Sequence, residues 1–256
     1  MRPKALILHA NGTNRHLEAA QAFELAGAEA ECVHLNQLRS GERRWADFQL
    51  LVIPGGFSYA DALGAGKLLA LDLSVYFADE AQTFVDSGKP VLGICNGFQA
   101  LAKAGLLPGT TDRAATLTFN EGGRFECRWV TLQPRSRRCL WTNGLPEPIT
   151  CPVAHGEGNF VPASAAGLAA LEQADQIALA YANADGSRAL GIYPANPNGS
   201  AADIAGVCNP RGNVLGLMPH PEDHVFDCQH PRWTRGESGG LGLPLFENGV
   251  HYAMQM

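Results

Sequence analysis

An α/β fold, with an open and mostly parallel sheet flanked by helices and extended by antiparallel strands, is predicted by three features of this 256-residue sequence. Between Ala5 and Leu107, short apolar strand candidates alternate with helix-like segments, the pattern of parallel strands covered on both faces. From Phe125 onward, strand-like segments follow one another with turn dipeptides between them, which indicates antiparallel additions. Finally, apolar residues make up 46% and charged residues only 17%, enough for one large core. With no repeat, low-complexity tract or linker in view, residues 1–256 read as a single domain.

Taken in order, Ala5 to His9 forms a first buried strand. His16 to Ala26 follows as a helix, with Leu17, Ala20, Phe23 and Leu25 at near-helical spacing and Gly27 at its stop. Glu31 to Leu35 and Leu50 to Ile53 are the next strands, the latter ended by Pro54-Gly55-Gly56. A long helical region is expected from Gly66 to Ser87, then a strand from Val91 to Ile94 and a helix from Phe98 to Ala104. The later strands are Phe125–Leu132, Ile149–Ala154, Gln176–Asn183, Ala189–Tyr193, Asp203–Cys208 and Val214–Met218. Their turn signals are Asn143-Gly144, Asp185-Gly186, Asn198-Gly199 and Arg211-Gly212-Asn213. Leu243 to Met254 closes the chain as a helix.

Composition narrows the function. Nineteen basic residues against 25 acidic ones give a net charge of −6, which speaks against nucleic-acid binding; the one basic run, Arg135 to Arg138, reads as a solvated turn. No apolar stretch approaches membrane-spanning length, since Glu172 and Asp175 interrupt the Ala-rich segment 163–184. The start of the chain lacks a secretory pattern. Seven widely spaced cysteines without a CxxC pair suit free thiols and a cytoplasmic location.

Three strand ends carry the chemistry. In Val91-Leu92-Gly93-Ile94-Cys95-Asn96-Gly97-Phe98-Gln99 a buried strand turns sharply into a helix, with Cys95 on the corner and a glycine two residues to either side. Such a corner needs small neighbours, and the helix N-terminus favours a thiolate. A second strand, Val214 to Met218, ends in Pro219-His220-Pro221-Glu222. There His220 can serve as base to Cys95 and Glu222 can fix its tautomer. Zinc on His220 and His224, four residues apart, is disfavoured because Pro221 opposes a helix through the pair, so no metal is expected. At the third strand end, the N–H groups of Gly56 and Asn96 are the expected oxyanion donors. There is neither GxGxxG spacing nor a P-loop lysine.

Together these motifs resemble the class I glutamine amidotransferases. IPGGFSYAD (53–61), VLGICNGFQAL (91–101), PVAHGEGNF (152–160), the segment 196–207 and GNVLGLMPHPE (212–222) resemble in particular the glutaminase subunits of phosphoribosylformylglycinamidine synthase. The resemblance spans nearly the whole chain and implies a flavodoxin-like fold. It further implies a Cys95-His220-Glu222 triad that hydrolyses L-glutamine through a thioester. Gln99, one turn into the helix, is then expected to contact the substrate amide, and His155, Glu157 and Asn159 to line the glutamine pocket or a partner face. Ammonia would pass to a large synthetase subunit, usually accompanied by a small third subunit. ATP and Mg²⁺ would be used by that partner, with no cofactor in this chain. Two departures stand out. Ala60 occupies a position where the family usually has Gly, with no Arg shortly after Asp61, and Arg232 to Leu245 is a long Gly-rich tail. Asn196 to Ser200 is expected as a surface turn or docking loop. The alternatives are a glutaminase serving GMP, CTP or anthranilate synthesis, a peptidase or deglycase of the related cysteine-elbow superfamily, and a non-catalytic regulatory subunit. CNGFQ and AHGEGNF oppose the first; Asn96, where the second usually has His, opposes that one.

Overall fold

The computed structural model describes residues 2–109, 114–145 and 147–256. The first half of the chain runs β1 (Lys4–His9), α1 (His16–Leu25), β2 (Glu29–His34), α2 (Leu35–Arg39), β3 (Leu50–Ile53), α3 (Lys67–Leu71), α4 (Ala78–Asp86), β4 (Val91–Ile94) and α5 (Asn96–Lys103). The second half adds β5 (Ala115–Thr118), β6 (Glu126–Pro134), β7 (Ile149–His155), β8 (Asn159–Pro162), α6 (Ala165–Gln173), β9 (Ile177–Ala182), β10 (Ile204–Cys208), β11 (Val214–Leu217) and α7 (Leu243–Met254).

Nine strands form one sheet in the order β2-β1-β3-β4-β11-β10-β9-β6-β7, and β5 pairs with β8 apart from it. From β2 to β11 every pairing is parallel, and from β11 to β7 every pairing is antiparallel. All four residues of β3, of β4 and of β11 are buried, which is why these strands read as unbroken apolar runs. Strand order reverses between β1 and β3, and open α/β sheets bind ligands at the carboxyl ends of strands beside such a reversal. Tight packing at this edge explains two glycines. A Cβ on Gly97 would lie 1.8 Å from the Ile53 carbonyl oxygen, and one on Gly93 would lie 2.5 Å from Leu101 Cδ1. Helix α5 therefore seats directly on the end of β3.

Several expectations need correction. Residues 66–87 are not one helix: the chain widens into a π turn at Asp72–Tyr76 between α3 and α4. Asp72, at the break, is held by the Tyr59 hydroxyl at 2.5 Å and by Arg39. Ala189–Tyr193 is not a strand. Leu190 and Gly191 have φ of 54° and 73°, and their N–H groups donate to the Asp203 carboxylate at 2.8 and 2.7 Å, which curls this stretch into turns. Leu35 opens α2 rather than ending β2, because the His34 ring accepts the Asn36 N–H and caps that helix. The Asn196–Ser200 segment is not a surface turn. Asn196, Asn198 and Ser200 are buried, and Asn198 Nδ2 donates to the Gly158 carbonyl at 2.8 Å and to the Tyr181 hydroxyl at 3.0 Å.

Candidate active site

Cys95 sits between β4 and α5 with φ 50° and ψ −104°. This backbone region costs a non-glycine residue on the order of 1–3 kcal/mol and persists only where the surroundings enforce it. Here they do, because the Cys95 N–H donates to the Leu217 carbonyl at 2.8 Å and the Cys95 carbonyl accepts the Gln99 N–H at 3.0 Å. The strain lifts the thiol above the sheet edge at the first turn of α5, where the unspent helix N–H groups favour negative charge.

His220 follows β11, the strand that pairs in register with β4, Leu217 opposite Ile94. Its N–H is fixed by the Pro152 carbonyl at 2.8 Å, and its Nδ1 meets Glu222 Oε1 at 2.7 Å. Both side chains are buried, and His220 Nε2 has no oxygen or nitrogen partner among the described residues. Burial alone would lower the imidazole pKa. The Glu222 carboxylate and the facing Cys95 sulfur outweigh it and hold the value well above 6.5. Glu222 and His220 thus form a hydrogen-bonded pair beside Cys95, whose thiol donates to the Ala154 carbonyl at 3.8 Å. Gly55 is wedged against His220 and Cys95, since a Cβ there would lie 2.6 Å from His220 Cε1 and 3.4 Å from Cys95 Cβ.

Gly56 and Asn96 lie close to the thiol. Gly56 lines the same cavity as Cys95, and among the described residues its N–H has no partner. Its position is set by the loop after β1: Phe57 N–H donates to the Gly12 carbonyl at 2.9 Å, Arg15 N–H to the Gly55 carbonyl at 3.2 Å. The Asn96 N–H belongs to the first residue of α5 and has no intrahelical acceptor. The Asn96 side chain, unforeseen from sequence, anchors the loop that follows β3. Its Oδ1 accepts the Ser58 hydroxyl at 2.6 Å, and its Nδ2 donates to Asp61 Oδ1 and Gln99 Oε1, each at 3.1 Å. In that loop Tyr59, Ala60, Asp61 and Leu63 all have φ between 51° and 65°, which explains the glycine that the related pattern places at position 60.

The cavity beside Cys95 encloses about 160 Å³, below the range of roughly 300–1,000 Å³ that suits drug-sized ligands and fit for a small substrate. Gln99, His155 and Glu157 all line it, together with Phe57, Asp61, Phe119 and Phe125. Gln99 Nε2 donates to the Glu157 carbonyl at 2.7 Å, so this amide braces the wall. The Glu157 carboxylate accepts the Ala65 N–H at 3.3 Å and pairs with Lys103 at 3.7 Å. His155 is buried with Nδ1 3.2 Å from Asn120 Oδ1. Burial, aided by His220, pulls its pKa down to about 3, so it faces the cavity uncharged. Asn159 lies one strand further on, in β8. Phe119, Phe125, Asn120 and Lys103 escaped the sequence reading because no motif marks them.

His224 does not join His220 in a metal-binding pair. Pro221–Asp223 is a single 3-10 turn, the His224 Nδ1 is bonded to the Thr150 carbonyl, and its ring packs on Trp129 and His230. The Gly-rich tail buttresses this turn: Gly242 N–H donates to the His224 carbonyl at 2.7 Å, and the Gly240 carbonyl accepts the Thr150 N–H at 2.8 Å. All seven cysteines are free thiols. Among the described residues no helix is long and apolar enough to cross a membrane.

The family model for the CobB/CobQ-like glutamine amidotransferase domain matches residues 2–253. A phosphoribosylformylglycinamidine synthase subunit PurQ of Treponema denticola is 53% identical, covering 99% of this chain and 100% of that protein. The protein of the same name from Archaeoglobus fulgidus is 38% identical over 97% of this chain and 96% of its own length. Among solved structures, a chain of PurLQS from Thermotoga maritima superposes with a TM-score of 0.76 at 31% identity, covering 98% of this chain and 99% of that one.

Proposed function

The chain belongs to the glutamine amidotransferase family, and from that premise we propose that it is the glutaminase subunit of a phosphoribosylformylglycinamidine synthase. The observation that carries the reading is the strained Cys95 facing a buried His220, itself bonded to Glu222 at 2.7 Å, at the wall of a small cavity.

In this reading the Cys95 thiol gives its proton to His220 Nε2, and the thiolate attacks the side-chain amide carbon of glutamine. The oxyanion is held by the N–H groups of Gly56 and Asn96. His220 protonates the departing ammonia, while Glu222 keeps Nδ1 protonated and the ring aligned. Water, deprotonated by His220, then cleaves the thioester to glutamate and frees the thiol. His155, Gln99 and Glu157 shape the pocket: His155 as a neutral wall, Gln99 and Glu157 by tying the loop after β3 to α5. Ammonia is delivered to a large synthetase subunit, with a small third subunit in the complex. ATP and Mg²⁺ serve the synthetase in making formylglycinamidine ribonucleotide, and the site of action is the cytoplasm.

The test is glutamate release from glutamine by the purified chain, alone and with its large synthetase, ATP and formylglycinamide ribonucleotide. Release stimulated by the partner and abolished in Cys95→Ala supports the reading. A folded chain silent under both conditions refutes it.

A further inference from the structure

Arg15 touches both halves of the site. Its N–H donates to the Gly55 carbonyl at 3.2 Å, immediately before the expected oxyanion donor Gly56. Its guanidinium Nε stands 3.7 Å from Asp223 Oδ2, in the turn that carries Glu222. Asp223 is in turn tied to the base, because its N–H donates to the His220 carbonyl at 3.2 Å. Glu18, one turn into α1, holds the guanidinium from the other side at 3.0 Å. Neither Arg15 nor Asp223 lines the cavity beside Cys95.

We propose that Arg15 and Asp223 form a positioning pair, which locks the Gly55–Gly56 segment to the His220–Glu222 turn so that oxyanion donor and base are set as one unit. The proposal rests on the glutaminase reading. Main chain and side chain of one residue span the two segments, so losing the side-chain contact leaves the Gly55 hydrogen bond in place and frees the turn to drift relative to it.

The charged and titratable groups facing Asp223 are Glu222 and His220 on its own turn, Arg15 and Glu18 from α1, and Cys151 from β7. Burial, then Glu222, raises the Asp223 carboxyl to about 6, against the pull of His220 and Arg15. The ion pair is therefore intact above that pH and lost below it as Asp223 takes up a proton. Removing the charge of Arg15 raises the Asp223 pKa further and abolishes the pair at every pH. In the native protein, raising the carboxyl above its ordinary value means that its ionisation opposes folding as pH climbs through the range from 3.8 to about 6.

The experiment compares the native chain, Arg15→Met, Arg15→Lys, Asp223→Asn and Cys95→Ala, each assembled with the synthetase and checked by thermal melting. It measures kcat and KM for glutamine across pH. Arg15→Met is expected to lower kcat about fivefold, the scale of one partly exposed ion pair, with KM within about twofold. Arg15→Lys restores most of the loss. The part of the acid limb due to the pair, centred at about 6, disappears in both Arg15→Met and Asp223→Asn and persists in Arg15→Lys, a pattern that loss of structure alone does not produce. Iodoacetamide alkylation of Cys95, mapped by mass spectrometry, supplies a readout independent of turnover: it slows in Arg15→Met and loses the same pH step in Asp223→Asn. Native turnover together with unchanged kcat and pH limb in both variants overturns the pair. Absence of native turnover instead refutes the glutaminase reading, and unchanged alkylation in the variants overturns the pair in that case too.

Discussion

Gly55→Ala is the sharpest perturbation the site offers. The backbone at Gly55 lies outside the left-handed region, so alanine meets no torsional penalty there; its methyl group would lie 2.6 Å from His220 Cε1 and 3.3 Å from Nδ1. Ordinary contact begins at 3.4 Å, so the imidazole must retreat by about 0.8 Å. It cannot do so freely, because the ring is buried and pinned to Glu222 at 2.7 Å. A misplacement of about 1 Å costs about 10²-fold in rate, equivalent to about 2.7 kcal/mol of barrier. The loss should fall on kcat, since the atoms nearest the methyl group belong to His220 and Cys95. The assay is steady-state glutamate release in the assembled complex, with thermal melting to show that the fold survives. Gly122→Ala, whose Cβ has no neighbour nearer than 3.8 Å, is the control and should be silent. If Gly55→Ala kept kcat within about threefold of native, the tight Gly55–His220–Cys95 wedge would not be what sets the catalytic geometry.

Two further outcomes follow from the same site. Glu222→Gln should lower kcat by about 10³- to 10⁴-fold, because the amide permits the wrong imidazole tautomer. It should also change the pH dependence of stability. The raised pKa of His220 gives stability that is fully present below about 6.5 and lost as pH climbs through the elevated value, so the alkaline decline in melting temperature should shrink in the variant; an identical decline would contradict the assignment. Ala60 has φ 55° and ψ 30°, a conformation costing an L-residue roughly 1–2 kcal/mol. Ala60→Gly should therefore raise the melting temperature by about 2–8 °C at this chain size, and a lower melting temperature would show that the loop strain is not local to that residue.

The parallel half of the fold was legible chiefly because β3, β4 and β11 are buried along their whole length and so appear as uninterrupted apolar runs. Cys95, His220 and Glu222 could be read for the same reason: each lies at or just past such a run, where a polar residue is conspicuous. The antiparallel half was less legible. Leu190-Gly191-Ile192-Tyr193 has strand-like composition, yet Asp203, distant in sequence, captures two of its N–H groups. β5 and β8 pair with each other and not with the main sheet, so neither shows the density of apolar residues that marks a buried strand. The helix α6, Ala-rich and weakly amphipathic, caps itself through Ser164, a signal overlooked within a segment noticed only for its apolarity. The polar braces of the site, Asn96 to Ser58 and Asp61, Glu157 to Lys103 and Asn198 to Gly158, depend on which loops meet in space, and spacing along the chain does not encode that.

The central ladder between β4 and β11 has a consequence for how the molecule comes into being. Cys95 and His220 follow neighbouring strands but are separated by nearly half of the chain, so the whole antiparallel half must be synthesised before β11 can dock on β4. Closing so long a loop is an entropic toll levied before any native contact across it is made. A nascent chain that has exposed only the nucleophile half would hold a thiol without a proton acceptor. Hydrolysis of glutamine, and with it the release of free ammonia, would thus be withheld until the last strand of the sheet is zipped into place.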